Sequence, residues 1–450
     1  MFITNGGIKL KEKIKTMIII ILLIGLNMSL VDAYAKNLKQ PILKFKNEIL
    51  YVGGYGPGNY TNIQDALDNS DNQDTIFVYA KEKPYYENII IEKSIKLIGE
   101  DMEKTIIDGQ QINSDIKNLA NNVLITGFTI QNSSFDESEY AGIESHSSNN
   151  YFVGNIFLNN KVGVHLLDGN SNTIVYNYIS GSQTESICIH SSSNIVYRNQ
   201  IEENEHGIWL QKDATDNKIK QNNFKNNNVY NAAVNKAKSN VWDENYWDDW
   251  IGLKIPFLTF VPKVIIGFFG SFRWFNLDLH PASESYEIVK HPLAVMNTTM
   301  GEMVIELYSD KMPITSENFI KLSKIGFFEE LVFHRVIDDF VIQGGGYYAN
   351  GTYKKSPYDP IVLETHPDVT HVDGAISMAR TTDPNSATSQ FFICDGAQHR
   401  LDGNYSAFGR VINGFDVLRD IASVETKTKH FQKNWPVDDI LINSVMIFDV

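Results

Sequence analysis

The chain has 450 residues, of which 43% are hydrophobic and 21% charged, and a formal net charge of −15. This composition is that of a folded protein and excludes bulk disorder. A domain takes roughly 150 residues, so the length predicts two or three domains. The acidic balance argues against nucleic acid or an anionic membrane surface as the main partner, because both select clustered Lys and Arg.

The first 35 residues are typical of a secretory signal peptide. Four lysines precede the apolar run Met17–Leu26, and the small residues Ala33 and Ala35 follow it. The run is shorter than the ~20 residues that span a bilayer, although an uncleaved anchor is the alternative. We therefore expect a secreted or cell-surface protein, either released or tethered by this segment.

Between about residues 120 and 235 the sequence repeats a pattern of Asn, an apolar residue, a short polar turn and a Gly–apolar pair. The leading asparagines are 22, 22 and 23 residues apart, at Asn155, Asn177, Asn199 and Asn222. A fixed period near 22 with short alternating runs is typical of stacked coils, not of a closed sheet.

A parallel β-helix satisfies this pattern. Each coil would contribute two or three short strands, with Ile, Val and Leu inside and Asn or Gly at the tight corners. Coils stacked about 4.8 Å apart would pair strands in parallel and align the asparagines in hydrogen-bonded ladders. We expect this domain over residues 47–240, with a short helix in 51–67 covering its open end.

Residues 241–278 are interpreted as a tryptophan-rich cap on the last coil. Three alternatives stay open: an interfacial membrane contact by the charge-free stretch Val264–Phe272, a carbohydrate platform on exposed tryptophans, and a calcium site. The calcium site would use Asp243, Glu244, Asp248 and Asp249. Residues 279–292 are expected to be a linker.

The repeats, over about residues 47–250, resemble the parallel β-helix family of exported archaeal and bacterial proteins with copper-insertion-type and sugar-hydrolase-type repeats. The resemblance implies a right-handed, pectate-lyase-like fold and says little about activity. No carboxylate cluster with a basic partner is evident, as lyase or hydrolase chemistry would need. His165, His190 and His206 match no ligand spacing, which favours packed or solvent-facing histidines over a metal site.

From residue 293 the repeat is replaced by a compact β-rich sequence. Alternating apolar positions around Thr298–Gly301 predict a β-hairpin. Thr315 is interpreted as the N-cap of a helix over Ser316–Lys324, and Asn413 as the start of a second helix over Phe415–Ala422. The remaining strands predict a closed antiparallel barrel with two helices over its ends.

Three motifs in this region carry a closer resemblance: "FHRVIDDFVIQGG", "GAISMARTTDPNSATSQFFIC" and "LDGNYSAFGRV". In this order they resemble the cyclophilin family of peptidyl-prolyl cis–trans isomerases in its prokaryotic form, over residues 293–450. The resemblance implies an eight-stranded barrel and activity on X-Pro bonds of polypeptide clients.

Rotating an X-Pro bond requires no nucleophile, metal or cofactor, because no bond is made or broken. Twisting localises a lone pair on the prolyl nitrogen, and a guanidinium beside it can donate a hydrogen bond that is strongest in the twisted state. Arg335 is the candidate donor. Phe340, Phe392 and Leu401 would form the apolar pocket that holds the proline ring.

The resemblance implies further roles around Arg335. Gln343 would orient the substrate backbone, and a groove for the residues before proline would use Ala379, Thr381 and Gln390. Val341 occupies the position where many relatives have methionine, and Tyr405 the position where the eukaryotic form has histidine. The resemblance assigns both residues to substrate binding. Arg400 replaces the tryptophan of the eukaryotic form, which argues against tight cyclosporin binding.

Other reactive residues are interpreted structurally. His334 is expected to be a buried histidine and not a base, because the reaction transfers no proton. Cys188 and Cys394 lie in separate apolar runs and are expected to be buried thiols without a disulfide. Glycosylation sequons occur at Asn59, Asn132, Asn297, Asn350 and Asn404.

Two functions compete at this point. The first is an exported prolyl isomerase whose β-helix supplies a location or a client. The second is a surface module in which the β-helix binds cell-envelope glycans and the barrel is a peptide-binding appendage. No cofactor is implied by either.

Overall fold

The computed structural model describes residues 48–250, 261–269, 272–288 and 291–448. The predicted signal peptide lies outside these residues.

The first half folds as a parallel β-helix, as the repeat predicts, and its strands form three faces in which each strand pairs in parallel with that of the next coil. The first face contains Ile49–Val52, Thr75–Val78, Lys96–Gly99, Leu124–Thr126, Tyr151–Val153, Thr173–Val175, Ile195–Tyr197, Lys218–Lys220 and Val241–Asp243. The second face contains Ile89–Ile91, Ile116–Asn118, Ala141–Ser145, Val162–Leu166, Glu185–Ile189, His206–Leu210, Tyr230–Asn235 and Lys263–Phe269. The third face contains Ile106–Asp108, Thr129–Gln131, Ile156–Leu158, Tyr178–Ser180, Gln200–Glu202, Asn223–Lys225 and Tyr246–Trp247.

The interior of the coils is a continuous apolar column. On the first face the central residues of successive strands are Ile125, Phe152, Ile174, Val196 and Ile219, and all are fully buried. One coil has too little surface to enclose such a row, so the core forms only when neighbouring coils stack.

The predicted asparagine ladder is present. The backbone N–H of each asparagine donates to the side-chain oxygen of its counterpart one coil later, at 2.9–3.0 Å, through Asn155, Asn177, Asn199, Asn222 and Asn245. The carboxylate of Asp278 accepts the last of these N–H groups at 3.0 Å. Buried corner amides therefore obtain partners that a single coil cannot supply.

The sequence expectation of Asn or Gly at the corners is only partly correct. The residue immediately before a ladder asparagine adopts the left-handed conformation, and it is Gly154 in one coil but Tyr176 (φ 58°) and Arg198 (φ 50°) in the next two. This conformation costs a non-glycine residue about 1–2 kcal/mol. The ladder hydrogen bonds hold the backbone in this conformation, so the corner accommodates Gly, Tyr or Arg in successive coils.

The ends of the β-helix are covered. The predicted N-terminal helix spans Ile63–Asn69 and buries Ile63, Ala66 and Leu67. At the other end Trp242 and Trp247 are buried against the last coils, and the Trp247 ring stacks on Phe224 with centroids 4.3 Å apart. The strand Phe272–Asp278 pairs antiparallel with the last strand of the second face.

The second half forms an eight-stranded antiparallel sheet that curls around its own core. Its strands lie in the order Arg335–Ile337, Val341–Gly344, Phe391–Cys394, Ala375–Met378, Ala407–Asn413, Gly301–Leu307, Leu293–Thr298 and Ile442–Phe448. A separate hairpin joins Thr426–Lys429 to Gln432–Pro436. The predicted hairpin around Thr298–Gly301 connects two neighbouring strands of the sheet.

The predicted closed barrel is present only in part. The edge strands Arg335–Ile337 and Ile442–Phe448 share no ladder. The two edges meet just outside these strands, where Val332 and Leu441 form a single bridge and the Phe333 N–H donates to the Ile440 carbonyl at 3.1 Å. The pairing between the two edges is confined to this short stretch, so the sheet is an incompletely closed barrel.

Two α-helices pack on this sheet, at Pro313–Lys324 and Phe415–Ala422, and a 3₁₀ turn spans His399–Leu401. The bounds of the second helix are as predicted. The first helix begins earlier because Pro313 occupies its first turn, so the assignment of Thr315 as N-cap is wrong. Glu364 accepts hydrogen bonds from the Ile314 and Thr315 N–H groups and satisfies that helix end.

The caps of the second helix also differ from the prediction. Gly414, with φ 85°, is its N-cap, and the Asn413 side chain accepts the Gly414 N–H at 2.8 Å. The left-handed conformation at this position explains the glycine.

The two halves pack directly against each other. An apolar cluster joins the outer side of the first face to the sheet, and it includes Tyr151, Val153, Val175, Ile195, Leu293, Val295, Val304 and Phe448. The described part of the predicted linker, residues 279–288, runs along the β-helix, where Tyr286 hydrogen-bonds with Asn223 and with the Glu244 carbonyl.

Glu306 lies at the centre of this contact and is 1% exposed. Its carboxylate accepts hydrogen bonds from Tyr176, Tyr197 and Arg198 of the β-helix, and His291 lies 2.7 Å from it. Burial opposes ionisation, but the His291 hydrogen bond and the Arg198 charge outweigh it and hold the pKa of Glu306 below its ordinary value. The contact therefore combines an apolar patch with a buried charge network.

Candidate active site

The motif "FHRVIDDFVIQGG" folds as a tight hairpin. Asp338 and Asp339 form its turn, in which Asp339 has φ 54° and donates its N–H to Asp395 at 2.9 Å. Arg335 and Gln343 are direct partners across the hairpin. Directly opposed residues project to the same side of a sheet, so the hairpin itself brings these two side chains together.

The next strand extends this row. Gln343 pairs with Phe392, and Phe392 pairs with Ser377 on the strand beyond. The alternating residues on the same strands, such as Phe391 and Ile393, enter the core of the sheet. Strand alternation thus separates a core face from a functional face.

Hydrogen bonds orient the polar part of the row. An Arg335 guanidinium N–H donates to the Gln343 amide oxygen at 3.2 Å, and the Gln343 amide N–H₂ donates to the Gln390 amide oxygen at 3.0 Å. Burial lowers the pKa of Arg335, while the guanidinium remains charged at any physiological pH. Arg335 is therefore a cationic donor whose orientation is held by Gln343.

An open cavity of about 160 Å³ lies beside this row. Its lining consists of Arg335, Phe340, Val341, Gln343, Ala379, Arg380, Phe392, Leu401 and Tyr405. Val341 and Phe392 are buried, and Tyr405 meets the edge of the Phe392 ring with centroids 5.8 Å apart. The apolar walls and the single cluster of polar groups at one side suit a small ring held next to a peptide backbone.

Two predicted residues lie outside the cavity lining. The Gln390 amide oxygen accepts a hydrogen bond from Gln343, which does line the cavity. Thr381 lies on an exposed loop, where its hydroxyl is 2.7 Å from that of Ser386.

Sequence reasoning missed two neighbours of the site. Arg380 lies over the Tyr405 ring at 4.6 Å and donates two hydrogen bonds to the Asn404 carbonyl. The His371 ring stacks on Phe392 with centroids 6.0 Å apart and is held by Asp402 and Ser377. Arg380 lies in the motif "GAISMARTTDPNSATSQFFIC", which could have pointed to it. No sequence signal indicates that His371 lies beside the pocket.

The expected burial of His334 is confirmed. It is 2% exposed and packs against Tyr347 and Trp435, with ring centroids 4.7 and 6.0 Å away. Burial lowers its pKa to about 4, so the ring is neutral at pH 7. Cys188 and Cys394 are both free and buried, as predicted.

Arg400 lies over Phe340, with its guanidinium carbon 4.4 Å from the ring centroid. The guanidinium carbon of Arg335 is 5.6 Å from the same ring. Two guanidinium groups therefore lie against the Phe340 ring.

The alternatives for the tryptophan-rich cap receive different answers. Trp242 and Trp247 are buried, so neither can belong to a carbohydrate platform of exposed tryptophans. The four acidic residues of the suggested calcium site have protein partners: Asp243 contacts Lys220 and His280, and Glu244 accepts from Gln221. Asp248 and Asp249 both accept from the Asn231 amide, and Asp249 also pairs with Lys263. Within the described ranges, no helix is long and apolar enough to cross a membrane; part of Val264–Phe272 lies outside them.

Comparisons with known proteins agree with this geometry. Residues 293–447 match the family described as cyclophilin type peptidyl-prolyl cis-trans isomerase, and residues 58–252 match the family described as periplasmic copper-binding protein NosD. A peptidyl-prolyl cis-trans isomerase of Acinetobacter baylyi is 39% identical over 168 residues, which cover 36% of this chain and 89% of that protein. Peptidyl-prolyl cis-trans isomerase B of Escherichia coli is 35% identical over 163 residues, 34% of this chain and 99% of that protein.

A solved cyclophilin type isomerase of Cryptosporidium parvum is 29% identical, covers 36% of this chain and 99% of its own, and gives a TM-score of 0.33.

The family match over residues 293–447 and the curated relatives identify the curled antiparallel sheet as an isomerase of X-Pro peptide bonds. The chain belongs to the cyclophilin-type peptidyl-prolyl cis-trans isomerases, and it joins this domain to a parallel β-helix that is similar to the NosD family over residues 58–252.

Proposed function

We propose that Arg335 is the catalytic donor of this isomerase. An X-Pro bond has a rotation barrier of ~18–20 kcal/mol, and the twisted amide exposes a lone pair on the prolyl nitrogen. The guanidinium is half-buried and held by Gln343 at the mouth of the cavity. A hydrogen bond that forms fully only with the twisted amide lowers the barrier without stabilising either planar isomer.

The apolar walls would grip the proline ring while the preceding residue rotates. Phe392 and Val341 form the floor, and Phe340, Leu401 and Tyr405 form the sides. A fixed ring forces the rotation into the X-Pro bond. Gln343 would orient the substrate backbone, and Ala379, with Gln390 and Thr381 beside it, would line the path of the preceding residues.

The clients are proposed to be exported polypeptides. The β-helix matches a family described as periplasmic, which supports a position outside the cytoplasm, secreted or at the cell surface. The proposed division is a signal peptide over 1–35, the β-helix over 47–240, its cap over 241–278, a connection over 279–292 and the isomerase over 293–450. The β-helix would give the isomerase its location or its client.

The observation that carries this proposal is the juxtaposition of Arg335, Gln343 and Phe392 in one row beside the cavity. The test measures cis–trans isomerisation of a proline-containing peptide by the full chain. Arg335→Ala should lower kcat/KM by about 10²–10³-fold, the usual effect of removing one donor to a developing charge.

Arg410→Ala is the matched control, since Arg410 lies on the same sheet and outside the cavity lining. It should retain the wild-type rate. Equal rates for Arg335→Ala and Arg410→Ala, with both variants folded by circular dichroism, would exclude Arg335 as the donor.

A further inference from the structure

Three arginines surround the proposed proline pocket without an acidic partner. Arg335 and Arg380 line the cavity, and Arg400 adjoins it. The arginines that form ion pairs within the described ranges are Arg198 and Arg419, neither of which belongs to the pocket. In a chain with a net charge of −15, the mouth of this cavity is therefore a local concentration of uncompensated positive charge.

Arg400 differs from the other two in its hydrogen bonding. Arg335 and Arg380 both donate to neighbouring residues. Arg400 is exposed, and no residue in the described part of the chain accepts a hydrogen bond from it. Its guanidinium carbon lies 4.4 Å from the centroid of the Phe340 ring, a cation–π contact that holds the group beside the cavity. A guanidinium held in this way keeps its N–H groups available for a carboxylate.

Arg400 lies at one end of the strands that border the cavity. The Asp395 N–H donates to the carbonyl of Phe340, the residue under Arg400, whereas the Ala379 N–H donates to the Gln390 carbonyl. Residues 390 and 395 flank one strand, so roughly 16 Å separates these two ends at ~3.3 Å per residue. The pocket floor lies between them. A client whose residues before the proline pass Ala379 therefore leaves the pocket past Arg400.

Nearby carboxylates do not neutralise Arg400. Asp402 contacts two histidines. Asp338, Asp339 and Asp395 gather at the hairpin turn, with one oxygen atom of each within 4.8 Å of the others, and Asp395 pairs with an arginine of the second helix. None of these four described carboxylates lies within the 4.0 Å of an ion pair from an Arg400 nitrogen. The positive charge is therefore open to a ligand.

We propose that Arg400 selects clients that carry an acidic residue shortly after the proline, by pairing with its carboxylate. This selectivity rests on the proposed function, which places the proline ring in the cavity. Guanidinium and carboxylate groups form parallel charge-assisted hydrogen bonds. A basic client residue at the same position meets like charge from Arg400 and Arg335. Charges at the rim of a binding site act mainly on the choice of partner.

The test measures isomerisation by the full chain of peptides that differ only in the residue after proline, which is Glu, Gln or Lys. The ratio of kcat/KM for the Glu peptide to that for the Lys peptide should be about fivefold at low ionic strength, from one attractive and one repulsive exposed pair. The difference should lie in KM, because this contact is the same in the planar and twisted states. It should shrink at about 1 M salt.

Variants at Arg400 test its role directly. Arg400→Ala should reduce the Glu-to-Lys ratio to below about twofold, and Arg400→Glu should invert it. Lys321→Ala is the matched control, because it removes an exposed cation of the same domain outside the cavity lining, and it should keep the wild-type ratio. Peptides varied at the residue before proline should not respond to Arg400→Ala.

A wild-type ratio of one, an unchanged ratio in Arg400→Ala, or equal changes in Arg400→Ala and Lys321→Ala would overturn the proposal. Failure of the proposed function is distinguishable, because it leaves the rate of Arg335→Ala unchanged whichever residue follows the proline. Titration calorimetry with the Glu and Lys peptides gives a second readout in Arg335→Ala, where the affinity ratio should persist although catalysis is lost. Equal affinities for the two peptides in both the wild type and Arg335→Ala would also contradict the role of Arg400.

Discussion

The β-helix and the isomerase sheet bury similar apolar residues but obtain their neighbours in opposite ways. In the β-helix, Ile174 is next to Val196 because the chain returns to the same position after 22 residues. In the isomerase sheet, Leu293 pairs with Phe448 from the far end of the domain, while Arg335 pairs with Gln343 eight residues on. The strand pairing of the β-helix thus follows from a repeated period. The strand pairing of the isomerase sheet follows from local hairpins together with contacts between strands that are distant in sequence.

This difference determines which groups of functional side chains can be recognised from a short sequence motif. The isomerase site depends on a hairpin, so a continuous motif contains both its donor and the amide that orients it. The network around Glu306 depends on coil stacking and on the contact between the domains, so Tyr176, Arg198 and Glu306 are far apart in sequence and no short motif contains them.

The largest expected effect is on the contact between the domains. Glu306→Ala leaves Arg198 buried without its partner, and breaking a buried pair in this way costs about 3–5 kcal/mol. The free energy of unfolding of the isomerase domain should fall accordingly. Amide hydrogen exchange of the isomerase strands at increasing urea concentration measures it, because this method follows residues 293–448 separately from the β-helix.

Glu317→Ala is the control for this change, since Glu317 forms an exposed pair with Lys321 and such pairs contribute little. If Glu306→Ala and Glu317→Ala unfold at the same urea concentration, the two domains are energetically independent despite their contact.

A smaller effect is expected inside the β-helix. Asn199 is fully buried, its amide oxygen accepts the Asn177 N–H, and its amide N–H₂ donates to the Ile174 carbonyl and the Asn222 side chain. Asn199→Ala leaves these groups unsatisfied, at about 1–3 kcal/mol for each buried group. The free energy of unfolding should therefore fall by about 3 kcal/mol. Urea denaturation followed by far-UV circular dichroism measures this loss as a lower midpoint concentration.

The exposed Asn228 provides the comparison, because it also lies in a coil turn but outside the ladders. Asn228→Ala should change stability by less than about 0.5 kcal/mol. A loss as large as that of Asn199→Ala would mean that the ladder has no special role.

The smallest expected effect is a pH dependence of the free energy of unfolding of the isomerase domain. Burial lowers the pKa of His334 to about 4, against ~6.5 in the unfolded chain. Below pH 6.5 the unfolded chain therefore takes up a proton that the folded domain excludes, so stability is lost as the pH falls from 6.5 towards 4. Between pH 7 and pH 5 this residue should account for about 2 kcal/mol of lost stability.

His334→Phe should remove that part of the loss, measured again by hydrogen exchange of the isomerase strands in urea at the two pH values, each corrected for its intrinsic exchange rate. The exposed His399 serves as the control, and His399→Phe should keep the wild-type dependence. Identical pH profiles for His334→Phe and the wild type would contradict this account.

Much of the fold followed from the sequence. The 22-residue period predicted the stacked coils and the ladder through Asn155 and Asn177, and the helical pattern predicted Phe415–Ala422 residue for residue. The failed assignment of Thr315 has a long-range cause: the start of the first isomerase helix is satisfied by Glu364, about 50 residues away, which no local pattern includes.

The sequence by itself determined the repeat, the two domain classes and the hairpin that aligns Arg335 with Gln343, because each depends on periodicity or on neighbours a few residues apart. Tertiary structure alone decided the incomplete closure of the sheet, the burial of Glu306 between the domains, the His371 ring behind Phe392 and the approach of Arg400 to Phe340. Those arrangements depend on which distant strands stack and in what register, and no local pattern records that register.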